Sequence, residues 1–129
     1  MKRPFVLFSC CFLSGCLSTP PSAPPHPDLP ASGLAACGAL PREAWETVDR
    51  IEAGGPFPYP ENDDRRFGNY ERTLPEQPKN YYREYTVDTP GVNHRGARRI
   101  VTGGGADGQV DEWFYTADHY ESFCEMEVN

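Results

Sequence analysis

The sequence predicts an α+β domain in which one amphipathic helix precedes several short antiparallel strands. Two observations carry this. A single stretch near the start of the folded part repeats its apolar residues at helical spacing. Everything after it is broken into short aromatic and β-branched runs by turn residues, with no second helical period and no internal repeat. At 129 residues there is room for one such domain and little else.

The helix is bracketed by Pro41 and by Gly54-Gly55. Proline suits a first helical turn and glycine suits the stop. Between them Ala44, Trp45, Val48 and Ile51 form one apolar face, with Trp45 expected in the core. Glu43, Glu46, Asp49 and Arg50 fall opposite. Pro56-Phe57-Pro58-Tyr59-Pro60 reads as loop. Tyr81 to Val87 is the first strand expected, followed by a turn at Asp88-Thr89-Pro90-Gly91. Arg98 to Thr102 is the second. Gly103 to Gly108 reads as a flexible turn. Trp113-Phe114-Tyr115 and Tyr120 to Cys124 are two further strands, joined by Thr116-Ala117-Asp118.

Ahead of this domain (34–129) the chain has a different texture. Lys2 and Arg3 precede a short apolar run from Phe5 to Leu13, too short to span a bilayer. The run ends in Leu13-Ser14-Gly15-Cys16, which is similar to a bacterial lipobox. Residues 1–15 are therefore expected to be an export signal, with Cys16 receiving a lipid; the other reading is an ordinary signal with an incidental Cys16. Residues 16–33 hold most of the excess proline, including Thr19-Pro20-Pro21-Ser22-Ala23-Pro24-Pro25-His26-Pro27. Such a segment cannot bury a core and is expected to be an extended tether, with His26 exposed. The protein is then expected outside the cytoplasm, meeting a membrane only through the lipid on Cys16. Cys10 and Cys11 leave with the signal, so the exported body keeps Cys37 and Cys124. In an oxidising compartment these are expected to pair, closing a long loop for about 4–5 kcal/mol in the chain-entropy model. Two buried free thiols are the alternative.

The formal charge of −7 argues against a general nucleic-acid binder, which needs clustered Lys and Arg. An enzyme with a small basic pocket on an acidic body is compatible with it. The three His and the scattered Cys have none of the spacings of a zinc site, so no metal and no cofactor is expected. Gly103-Gly104-Gly105 lacks the Lys-Ser/Thr of a phosphate-cradling loop, and no nucleophile elbow is present. Three features remain. Glu84 shares a strand face with Tyr82 and Thr86, either as a solvated residue or as a site carboxylate. Arg95, Arg98 and Arg99 crowd five residues, either as a solvated edge or as a phosphate clamp. His119 lies between Asp118 and Tyr120, either structural or chemical.

The order of these pieces is more specific than any one of them. Phe67-Gly68-Asn69-Tyr70-Glu71, then Tyr81-Tyr82-Arg83-Glu84-Tyr85-Thr86-Val87, then Pro90 to Ile100 with its arginines, then Asp118-His119-Tyr120, resembles the microbial guanyl-specific ribonucleases. That is the family of barnase and ribonuclease Sa, and the Sa branch is closer; Ala39-Leu40-Pro41 and Gly55 to Tyr59 are also similar to that branch. The resemblance covers about Cys37 to Phe123. It implies an endoribonuclease acting on single-stranded RNA without a metal. Glu84 matches the general base, His119 the general acid, Arg95 and Arg99 the groups that neutralise phosphoryl charge, and Tyr120 an aromatic that contacts the phosphate. Phe67 to Glu71 matches the base-reading loop, with Glu71 accepting from guanine, backbone amides around Asn69 meeting its O6, and Phe67 and Tyr70 stacking on the base. Gly68 departs from the larger polar residue common in the Sa branch, and the lipobox and tether are not typical of these secreted enzymes. The resemblance fits either a nutrient-scavenging enzyme or a weapon against competitors; the second use calls for an acidic, barstar-like inhibitor protein as partner, and the chain is expected to act as a monomer. A non-catalytic surface lipoprotein binding RNA or a protein through the same fold is the rival class.

Overall fold

A computed structural model describes residue 15 and residues 32–129. The expected export signal up to residue 14, Cys16 and the expected tether through residue 31, His26 included, lie outside the described residues. Helix α1 spans Arg42–Glu52. It is followed by β1 (Arg65–Arg66), β2 (Tyr82–Thr86), β3 (Arg99–Gly104), β4 (Val110–Thr116) and β5 (Cys124–Glu125). The strands form one antiparallel sheet in chain order, β1-β2-β3-β4-β5.

The helix stops where its glycines require. Gly54 takes φ 76°, which a side chain disfavours. Its N–H donates to the carbonyl of Ile51 at 3.0 Å, and that of Gly55 donates to Arg50 at 2.9 Å. This pairing satisfies two carbonyls that the helix end leaves open. Pro41 stands just outside the first turn with extended backbone rather than inside it. The buried stripe is Ala44, Thr47, Val48 and Ile51. Trp45 is a correction to the sequence reading: it is 42% exposed, and Thr47 holds the core position instead. Thr47 can be buried because its hydroxyl donates to the carbonyl of Glu43 at 2.8 Å.

The stripe packs on one face of the sheet with Tyr85, Val87, Ile100, Trp113, Tyr115 and Met126. Each fully buried large apolar side chain there contributes about 1.5–3 kcal/mol. Cys37 and Cys124 form a disulfide at the edge of this core, with Cα atoms 4.9 Å apart, and close an 87-residue separation. The opposite face carries a smaller cluster of Leu74, Tyr82, Val101 and Phe114. Loop residues cover it, among them Phe67, Tyr120 and Phe123.

Three further features differ from the expectations. Gly103 and Gly104 belong to β3, which ends in a register shift, so the turn is shorter and the hairpin longer than Gly103 to Gly108 implied. The two-residue strand β1 had no sequence signal. Tyr120 to Phe123 is a turn and not a strand, and β5 begins only at Cys124. The aromatic run looked extended, but His119 and Tyr120 sit at φ 53° and 72°, which no strand accommodates.

Candidate functional site

Strand β2 presents Glu84 from the face opposite α1. Alternation sends Tyr85 into the helix-side core, while Tyr82, Glu84 and Thr86 share the other face. The register sets Glu84 across from Val101 and Thr86 across from Arg99. Across β3, Arg99 meets Thr116, the last residue of β4. Side chains scattered through the sequence are thus brought to one end of one face.

The turn after β4 is tied by hydrogen bonds as well as by the packing of Tyr120 and Phe123. The Thr116 hydroxyl donates to Asp118 Oδ1 at 2.8 Å and accepts from the Tyr120 N–H at 3.1 Å. Asp118 also accepts from the hydroxyl and the N–H of Ser122. These bonds, led by those from Ser122, hold the Asp118 carboxyl below its ordinary range. The His119 N–H donates to the carbonyl of Ala97 at 3.0 Å, which pins the turn to the arginine segment. The left-handed backbone at His119 and Tyr120 is over-determined by these partners.

Around Glu84 the geometry is dense. The Tyr120 hydroxyl donates to Glu84 Oε2. Burial pushes the Tyr120 phenol up, and the hydrogen bond and charge of Glu84 push it further, so it remains a donor at neutral pH. Arg95 Nη2 lies 3.9 Å from Glu84 Oε1. Its Nε donates to the Thr86 hydroxyl at 3.0 Å, and its guanidinium lies over the Tyr59 ring at 5.9 Å. Arg99 is only 2% exposed, with Nη1 donating to the carbonyl of Arg98 at 2.7 Å. Arg95 Nη2 and Arg99 Nε are buried donors without a hydrogen-bond acceptor among the described residues. An unsatisfied buried donor is costly unless something anionic meets it. Arg98 turns away and lies 3.9 Å from Glu43 of the helix, so only two of the three arginines face this site.

A cleft of about 560 Å³ opens over this cluster, lined by Phe67, Gly68, Asn69, Tyr70 and Glu71 along one side and by Glu84, His119 and Tyr120 along the other. Arg95 and Arg99 lie behind Glu84 and Tyr120 rather than on its walls. Phe67 is stacked on Tyr120 with ring centroids 4.9 Å apart. Its ring is therefore committed to the cleft wall. Tyr70, 85% exposed, is the aromatic left free. Asn69 has φ 49°, and its side chain donates to the carbonyl of Leu74 at 2.9 Å and accepts from the Leu74 N–H at 3.1 Å. That clamp folds the 69–74 loop and leaves Glu71 exposed at the rim. At Gly68 a Cβ would meet the Tyr70 ring, which lies over it, so a larger residue there would displace that exposed ring.

Sequence reasoning missed Tyr59 and Thr86 as supports for Arg95, and Thr116 and Asp118 as the frame of the His119 turn. Thr86 was visible as a neighbour of Glu84 on its strand face; the others had no signal beyond belonging to the resemblance. Among the described residues no three His, Cys, Asp or Glu side chains are grouped to hold a metal ion.

The comparisons cover the same body. A sequence model described as ribonuclease matches residues 33–127. The chain is 55% identical over 90 residues to guanyl-specific ribonuclease St of Saccharopolyspora erythraea, spanning 70% of this chain and 83% of that protein. It is 48% identical over 92 residues to guanyl-specific ribonuclease Sa of Kitasatospora aureofaciens, spanning 71% and 91%. The solved structure of ribonuclease Sa2 in complexes with mononucleotides is similar with a TM-score of 0.62 at 43% identity, over 69% of this chain and 86% of that one. The match takes in the helix, the sheet, the cleft and both cysteines, and the chain belongs to the microbial guanyl-specific ribonuclease family.

Proposed function

We propose that this chain is an endoribonuclease that cleaves single-stranded RNA on the 3′ side of guanosine and needs no metal. The observation that carries the reading is the convergence on one cleft of a carboxylate at Glu84 and an imidazole at His119, backed by two buried guanidinium groups, Arg95 and Arg99, just behind its wall. The nucleophile belongs to the substrate. Glu84 takes the proton from the ribose 2′-hydroxyl as its oxygen attacks phosphorus. The bond from phosphorus to the 5′-oxygen breaks, and His119 protonates that oxygen. The product is a 2′,3′-cyclic phosphate. Water then opens it with the roles exchanged, His119 accepting the proton and Glu84 returning one to the 2′-oxygen. The reaction needs one deprotonated and one protonated group at the same pH, which a carboxylate and an imidazolium supply.

Charge builds on the non-bridging oxygens during the attack. The free donors of Arg95 and Arg99 neutralise it, and their rigid mounting avoids reorganisation at that moment. Tyr120 holds Glu84 and adds a hydroxyl beside the phosphate. Glu71 accepts from guanine N1–H and the 2-amino group together, a pair that adenine lacks. Backbone amides around Asn69 meet O6, and Tyr70 stacks on the base, a contact of about 1–3 kcal/mol. DNA has no 2′-hydroxyl and is not cut.

The test is cleavage of GpN, ApN, CpN and UpN in EDTA, beside Glu84→Gln. Cleavage of GpN alone, ending in the cyclic phosphate and lost in the variant, is the expected result. A folded sample that cuts nothing points instead to a module that binds RNA or a protein.

The reading extends to where the enzyme works. It is exported and held at a membrane by a lipid on Cys16, supported by the lipobox-like Leu13-Ser14-Gly15-Cys16 and the proline tether. Palmitate labelling of the expressed chain, abolished by Cys16→Ala, is the check. It acts as a monomer. If it serves as a toxin, its producer needs an acidic inhibitor steered to Arg95 and Arg99.

A further inference from the structure

A second recess of about 270 Å³ lies beside the cleft and shares Arg66 to Tyr70 with it. None of Glu84, His119 or Tyr120 lines it, so it opens on the other flank of the 67–70 loop. Its outer wall brings Arg72 and Lys79 to Arg66, with Gln77 between them and Glu76 as the one acidic side chain. Arg66 is oriented toward that wall, since its Nε donates to the carbonyl of Lys79. Among the described residues, Arg66, Arg72 and Lys79 make no ion pair, whereas Arg42, Arg83, Arg95 and Arg98 each have a carboxylate within 4 Å. Lys79 is also the sole lysine beyond Lys2. Three uncompensated cations around one recess, in a chain of formal charge −7, constitute a local reversal of sign.

Resting on the guanosine reading of the cleft, we propose that this recess is a subsite for the RNA backbone on the 5′ side of the bound guanosine. The scissile 3′-phosphate is at Glu84 and Arg95, and the base lies along the 67–71 loop. A strand that crosses that loop to Arg72 and Lys79 leaves the guanosine by its 5′-oxygen. The phosphate it carries there meets Arg72 and Lys79, with the Gln77 amide as a neutral donor. The site takes any upstream nucleotide, because backbone charge and not a base edge is what it recognises.

The experiment compares kcat/KM of the full chain and of an Arg72→Gln/Lys79→Gln double variant on GpU, UpGpU and GpUpU. Arg72 follows Glu71 and its backbone N–H donates to the Asn69 carbonyl, which a glutamine keeps; the side chains of Arg72 and Lys79 make no hydrogen bond or ion pair with Glu71 or the catalytic groups among the described residues. The native protein is expected to cleave UpGpU about tenfold better than GpU, the scale of two exposed charge contacts. The variant loses that advantage and leaves GpU and GpUpU unchanged. Raising salt erodes the UpGpU advantage in the native protein and not in the variant. Equal native rates on GpU and UpGpU overturn the subsite, as does a loss confined to GpUpU or shared equally by all three substrates. Absence of GpU cleavage by the native chain would instead sink the guanosine reading on which the subsite depends. Matching near-ultraviolet circular dichroism of the two proteins excludes misfolding as the source of a difference.

Discussion

The two faces of the sheet are built from the same five strands and do opposite work. On the helix side, Tyr85, Val87, Ile100, Trp113 and Tyr115 meet Ala44, Val48 and Ile51 in an apolar layer closed by a disulfide. On the loop side the apolar layer is smaller, and beyond it the same strands carry Glu84, Thr86, Arg99 and Thr116. A strand alternates, so each residue of β2 and β3 that goes to one face withholds its neighbour from the other. Stability is concentrated where a helix can cover the sheet. Chemistry is concentrated where only loops cover it, because loops leave a cleft and supply polar side chains at its rim.

That division can be broken by experiment, and the largest expected effect lies on the loop side. Glu84→Gln keeps an acceptor for Tyr120 but removes the proposed base. Its kcat/KM on GpU should fall by about 10²–10⁴ with little change in melting temperature. An equal loss of activity and stability would mean that the loop face is also structural. Next comes the helix side. Ile100 has no exposed surface, and Ile100→Ala should cost about 2–5 kcal/mol in urea unfolding while the folded fraction retains its kcat.

Asp118 lies between the two classes: it frames the His119 turn and, on the proposed reading, positions the general acid. Asp118→Asn should lower kcat about ten- to a hundredfold with a smaller change in KM, since the imidazole shifts while the guanine loop does not. It should also change the acid limb of stability. The folded carboxyl is held below the unfolded value of 3.8 by Ser122 and Thr116, so the folded state binds fewer protons in that window. Its contribution is present above the unfolded value and is lost as pH falls through the lowered one. Melting temperatures taken across that range should therefore flatten in the variant; an unchanged acid limb argues that these bonds persist in the unfolded chain. The smallest effect is at Trp45. With 42% of its surface exposed, Trp45→Ala should cost about 1 kcal/mol or less, and a cost as large as that at Ile100 would return it to the core.

Legibility follows the same line between the faces. The helix was readable from Pro41, the Gly54-Gly55 stop and the spacing of Ala44, Val48 and Ile51, because these act within a few residues. Trp45 was misplaced because apolar character does not say which side of the stripe's edge a large ring takes. The strand read over Tyr120 to Cys124 failed up to Phe123 for a different reason. Its aromatic composition favours extension, but the Thr116 hydroxyl, Asp118 and the Ala97 carbonyl hold His119 and Tyr120 in left-handed backbone. In the site, Glu84, His119, Arg95 and Arg99 were each ambiguous alone and became legible only as an ordered set.

What the sequence determined by itself is local and combinatorial. It set the one-helix α+β order, the cysteines able to pair, and a residue pattern specific enough to mark the family. Only the tertiary structure decided which charges meet. Register put Thr86 against Arg99; the loops then brought Arg95 and Tyr120 within reach of Glu84, turned Arg98 away to Glu43, and left Arg66, Arg72 and Lys79 without an ion pair around a second recess. Electrostatic work depends on separations of a few ångströms between groups tens of residues apart, and composition holds no record of those distances.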